Sequence, residues 1–172
     1  IIQYNHVTFL LFIPLFSSGI NNVDSLEGIW NDKSNNDTIR LQALGKLIWD
    51  KYLFSNPDSA YYYAQIQYNF AKSKNYKKHM AYALKIQGIS FAIRGNYSKA
   101  LDHYNICKKL YEEIGDLKGV SAILNNTGKI YFEQGNLDKA EEYYKKSIAI
   151  KQQIGYKAGV ASSLENLGEI YA

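Results

Sequence analysis

Few side chains in this 172-residue sequence could perform metal or nucleophilic chemistry: His6, His79, His103 and Cys107. The three histidines are scattered, and none has a carboxylate at a spacing that would complete a metal site. A single cysteine excludes an internal disulfide and any multi-cysteine metal centre. The run GVSAILNNTGK, residues 119–129, ends in Gly128-Lys129. A phosphate-cradling loop would also need glycine where Ile123 stands and serine or threonine where Ile130 stands. Glu112/Glu113 and Glu141/Glu142 are neighbouring carboxylates on an exposed side of a predicted helix, without the burial that retunes a carboxyl group. The sequons at Asn36, Asn96 and Asn125 carry little weight, the last lying inside a predicted helix. No catalytic, cofactor or metal residue is assigned, and these residues are expected to bind rather than catalyse.

The elements that would position a binding surface are legible from composition. Prolines occur only at Pro14 and Pro57, so little interrupts helices after the first third, and Tyr dominates the aromatics with 16 residues. An all-α protein with tyrosines packed between helices is expected. The formal charge of +4 is spread among mixed signs. Nucleic-acid binders gather their basic residues on one face, so these repeats are not expected to bind nucleic acid. The densest basic run, Lys72, Lys74, Lys77 and Lys78, falls around a predicted turn and reads as solvated.

The chain then repeats itself. GNYSKALDHY at 95–104 returns as GNLDKAEEYY at 135–144. The same register of forty pairs Gly115 with Gly155, Gly119 with Gly159, Leu124 with Leu164, Gly128 with Gly168 and Tyr131 with Tyr171. A weaker copy places Asn56, Ala60, Leu84 and Gly88 under Asn96, Ala100, Leu124 and Gly128. Each copy predicts two antiparallel helices, ended by glycines at 95, 115, 135 and 155 and capped by Asn56, Asn96 and Asn136. Gly128 and Gly168 are read as close-approach points facing the flat spot at Ala100 and Ala140, with Tyr104 and Tyr144 beside it and Tyr131 and Tyr171 packing from the first helix. Cys107, in the register of Ser147, is read as core.

Gly128, Tyr131, Ala140 and Tyr144 resemble the signature of tetratricopeptide repeat proteins, and LGEIY at 167–171 opens another copy. The period of forty departs from the usual thirty-four, as in the long-repeat branch that resembles kinesin light chain and spindle-orientation adaptors. Gln152 stands where the family carries a late proline. The resemblance implies an all-α solenoid of stacked antiparallel helix pairs: a degenerate pair over 37–79, clear repeats at 80–119 and 120–159, and a partial copy at 160–172. It also implies a peptide-binding face lined by the first helix of each pair. The residues placed there are Lys85, Ile89, Asn125, Asn126, Lys129, Glu165, Asn166 and Glu169. Side-chain amides at Asn126 and Asn166 could hold an extended peptide, since an amide both donates and accepts. They could equally satisfy neighbouring loops or face solvent.

Val7–Phe16, VTFLLFIPLF, is apolar except for Thr8 and is followed by small residues. It is too short to span a bilayer and reads as a secretory signal over 1–19, followed by a linker over 20–36. The chain opens on Ile1 and stops inside a copy at Ala172, so a longer parent chain is expected. The arrangement resembles the sensor regions of Bacteroidetes-type signalling proteins. By that resemblance the chain is the exported part of a receptor, periplasmic or membrane-anchored, with a protein or peptide ligand and membrane attachment only through the rest of the parent. Two alternatives stay open: an enzyme (a histidine kinase or nucleotide cyclase) whose catalytic domain lies beyond residue 172, and a free-standing periplasmic scaffold. Self-association through the open repeat end is also expected.

Overall fold

The computed structural model describes residues 22–171, so the expected signal over 1–19 lies outside the described residues. Among the described residues eight α-helices follow one another: α1 Asn22–Asn31, α2 Asp37–Leu47, α3 Pro57–Ser73, α4 Lys77–Ile93, α5 Tyr97–Glu113, α6 Leu117–Glu133, α7 Leu137–Gln153 and α8 Lys157–Gly168. No strand occurs among the described residues. α2, α4 and α6 are the first helices of successive pairs, and α3, α5 and α7 are the second.

From α3 to α7 every helix has 17 residues, and successive helices start twenty residues apart. The geometric unit is therefore half the sequence repeat. Its joint is a left-handed residue at Asn75, Gly95, Gly115, Gly135 and Gly155, with φ between 55° and 73°. At Gly95 the ending is a Schellman motif: Gly95 N–H donates to the Ala92 carbonyl and Asn96 N–H to that of Phe91, both at 2.9 Å. After Gly95, Gly115 and Gly135 the next residue caps the following helix with its side chain, Asn96 accepting from Lys99 N–H at 3.3 Å and Asp116 from Gly119 N–H at 2.8 Å, whereas Tyr76 and Tyr156 make no such bond. Asn56 caps α3 as expected, ahead of Pro57.

The turn after α2 is made differently. Ser55 has no left-handed backbone; instead Ile48–Tyr52 winds into a π-helical turn, closed by Leu53 N–H on the Ile48 carbonyl at 2.9 Å. This wider turn ends the helix without glycine and leaves Trp49 and Phe54 exposed, their rings edge to face at 5.8 Å.

The expected linker over 20–36 is corrected: most of it is α1, which packs on α2. Leu26 is buried, and Ile29 and Trp30 lie against the same core. Arg40 fastens it. Its guanidinium lies 5.0 Å from the ring centres of both Trp30 and Phe70, its Nε donates to the Trp30 carbonyl at 3.0 Å, and it pairs with Asp37 at 3.3 Å. A segment rich in Asn, Asp and Ser lacks a strong helical pattern of its own, and these tertiary contacts override that.

The core falls into two clusters. One gathers Leu44, Ile48, Leu53, Ala60 and Ile86 from α2 to α4. The other gathers Tyr104, Cys107, Val120, Ile123 and Ile130 from α4 to α6. Ile89 packs against both. Within each pair one buried side chain of the second helix donates to a carbonyl of the first: Gln67 to Leu41 at 2.8 Å, Cys107 to Ala81 at 2.9 Å, Ser147 to Ser121 at 2.8 Å. These donors and acceptors stand forty residues apart, and all three donors are fully buried. The polar pin keeps its place while its residue type changes.

Burial pushes the Cys107 thiol up to about 12, against a smaller opposing pull from Lys85. The folded state thus favours the protonated thiol. Its contribution is complete below the ordinary thiol pKa and is lost as pH rises toward about 12. At pH 8, iodoacetamide should alkylate native Cys107 at least about a hundredfold more slowly than the denatured chain, followed by mass spectrometry.

The basic turn is solvated and also paired. Lys74 meets Asp37 at 3.1 Å, Lys77 meets Glu113 at 3.1 Å, and Lys78 meets Asp116 at 3.5 Å. Being exposed, each pair contributes little to stability. The adjacent carboxylates behave the same way, Glu141 pairing with Lys145 and Glu142 with Lys146 one helical turn on.

Candidate peptide-binding groove

Two cavities lie along the first helices and share Trp49. The first, of about 560 Å³, sits between α2 and the N-terminal half of α4, with Leu41, Gly45 and Tyr82 lining it and Gln67 and Tyr111 reaching in from second helices. The second, of about 400 Å³, runs along the C-terminal halves of α4 and α6, between Phe54, Ile89, Ile93, Asn126 and Lys129. Trp49 is 40% exposed and Phe54 70%. Together they form an apolar ridge between the two recesses.

The residues expected to bind divide among several places. Lys85 lies half-buried in the first cavity, its ammonium 4.3 Å from the Tyr82 ring centre and 5.8 Å from that of Trp49. Ile89, Asn126 and Lys129 line the second, with Lys129 exposed. Ile89 is also the packing bridge between the core clusters. Asn125 and Asn166 meet each other instead: Asn125 Oδ1 accepts from Ser163 Oγ at 2.7 Å and from Asn166 Nδ2 at 3.2 Å. Glu165 and Glu169 are exposed on and just after α8, outside both cavities.

That asparagine pair borders a polar cluster where α6, α7 and α8 meet. Lys151, only 5% exposed, donates to Ser163 Oγ at 2.6 Å and has no carboxylate partner among the described residues. Burial holds its ammonium below the usual lysine range. In the preceding pairs this position holds Tyr111 and Ala71. Tyr171, expected to pack from α8, is 66% exposed beyond the helix end, and the space beside Gly168 is open.

Sequence reading missed Trp49 and Phe54. Trp49 occupies the register of Ile89 and Lys129, so extending the repeat one copy upstream would have found it. Nothing in the register points to Phe54, whose position depends on the π turn.

The repeat geometry matches an independent comparison: the tetratricopeptide repeat profile aligns with residues 79–153 and again with 120–172, more than half the chain. The chain belongs to the tetratricopeptide repeat family. Among solved structures, this repeat array is similar to BtubC (BKLC) from P. vanneervenii, with TM-score 0.67 and 15% identity over 87% of this chain. It is likewise similar to aspartyl phosphate phosphatase F from Bacillus subtilis, with TM-score 0.70 and 19% identity over 82% of this chain. The array spans 62% of the first of those chains and 38% of the second. At such identities the likeness is one of fold. No curated protein matches the sequence.

Proposed function

We propose that this tetratricopeptide repeat array is a scaffold that binds an extended peptide along the face of α2, α4 and α6. The observation that carries this reading is the paired cavities joined by the exposed Trp49–Phe54 ridge. An aromatic anchor beside a recess is the usual energetic centre of a protein interface. Ile89 and Ile93 extend the apolar surface, while Asn126 and Lys129 supply hydrogen-bonding groups at its border.

We further place the array in the extracytoplasmic sensory or regulatory part of a larger bacterial signalling protein. The support is the apolar run Val7–Phe16 with its small-residue flank, and the resemblance in the repeats. No helix among the described residues is long and apolar enough to cross a membrane.

A displayed library of random peptides, selected against the chain, tests the binding reading. Enriched peptides should lose about thirtyfold in affinity on Trp49→Ala, as expected for an aromatic hot spot. They should be unaffected by Ile106→Ala, an exposed apolar residue of α5 outside both cavities. Failure to enrich any peptide, or equal loss in both variants, overturns the assignment.

A further inference from the structure

The first cavity differs chemically from the rest of the groove. Its lining carries Lys46, Lys78 and Lys85 against one carboxylate, Asp50. Lys46 already pairs with Asp50 at 2.6 Å, and Lys78 with Asp116 at 3.5 Å. Lys85 has no ion-pair or hydrogen-bond partner among the described residues. Its neighbours are the faces of Tyr82 and Trp49, which attract a cation without neutralising it. His79, half-buried on the same wall, adds no negative charge.

One wall of the recess also holds a buried acceptor without a partner among the described residues. Gln67 is fully buried and lines the same cavity; its Nε2 is used on the Leu41 carbonyl, but its Oε1 is buried with no partner among the described residues. A buried acceptor left unpaired is costly. That oxygen is sealed behind the wall, so the recess itself offers the unpaired Lys85 ammonium between apolar walls from Leu41, Trp49 and Tyr82.

We infer that this recess takes an acidic side chain of the bound peptide, its carboxylate accepting from Lys85. The inference rests on the peptide-binding reading of the groove and names the chemistry of its partner. A half-buried ammonium gains more from an anion than from a neutral acceptor, because charge-assisted hydrogen bonds strengthen where water is excluded. The apolar walls suit the methylenes of glutamate. Burial keeps the Lys85 ammonium below the usual lysine range, so a bound carboxylate would restore what burial removes.

The test uses single-residue ligands, so it does not depend on finding a natural peptide. The ¹⁵N-labelled chain is titrated with N-acetylglutamate N-methylamide and followed by amide chemical shifts. N-acetylglutamine N-methylamide has the same N–H donors without the charge, and N-acetylglycine carries only a terminal carboxylate. The glutamate compound should shift signals of α2 and α4 around the cavity and bind at least fivefold more tightly than either comparator. Lys85→Met and Lys85→Gln should each abolish that preference while melting close to wild type, and Lys109→Met, on the exposed side of α5 outside both cavities, should preserve it. Equal affinity for glutamate and glutamine compounds, absence of shifts at the cavity, or a preference that survives at Lys85→Met overturns the inference. So does N-acetylglycine binding as tightly, which would mark a chain terminus as the ligand. Peptides selected through Trp49 without any acidic preference would sink this inference and leave the groove intact.

Discussion

Gly128→Val should lower the stability of the array by about 3 kcal/mol and melt it at a visibly lower temperature. A Cβ at position 128 would stand 2.7 Å from the Tyr144 ring and 3.2 Å from the Ala140 carbonyl. The carbonyl belongs to the backbone of α7 and cannot yield. The ring is 1% exposed, so it has no solvent to swing into. Either the α6–α7 pair separates or Tyr144 leaves its place. Tyr144→Ala alone should cost a comparable amount by leaving a cavity. Combined, the two changes should cost clearly less than their sum, because the added side chain then enters the space the ring vacated. Simple additivity in thermal or denaturant melts would show that Gly128 and Tyr144 do not share one slot.

Leu44→Ala should cost about 3 kcal/mol, and unevenly along the chain. Leu44 is fully buried in the cluster of α2 to α4, and truncating such a side chain removes packing that only partly relaxes. In a stacked array each unit leans chiefly on its neighbours, so damage stays local. Hydrogen exchange should therefore rise in α1 to α3 well before α5 to α7 lose protection. Ile89, in contact with both clusters, is where the two halves remain coupled. Uniform loss of protection from α1 to α7 would show a single cooperative core instead.

How much was legible beforehand varied with the kind of contact. The pairs α4–α5 and α6–α7 were readable because their determinants are local or strictly periodic. A glycine that reaches positive φ, an asparagine cap and an apolar stripe act within one turn of chain, and Gly128 facing Ala140 returns at the same interval as Gly88 facing Ala100. α1 was not readable: its helix is held by Arg40 between Trp30 and Phe70, a contact no later copy repeats, because Met80 and Val120 stand in the register of Arg40. Asn125 and Asn166 were chosen for what an amide can do, but the structure uses those amides on each other. Which partner a flexible polar side chain takes depends on what packs within reach, and that is set by neighbouring helices.

By itself, then, the amino-acid order determined the helical pairs, their joints and the forty-residue repeat, since steric limits on φ and the spacing of apolar residues operate along the chain. Only tertiary structure decided the shape of the groove. The π turn that lifts Trp49 and Phe54, the cavity around the unpaired Lys85, and the stranded acceptor of Gln67 all arise where three or more helices converge. Such a convergence has no short-range signature, because its energy lies in contacts that exist only once the helices have stacked.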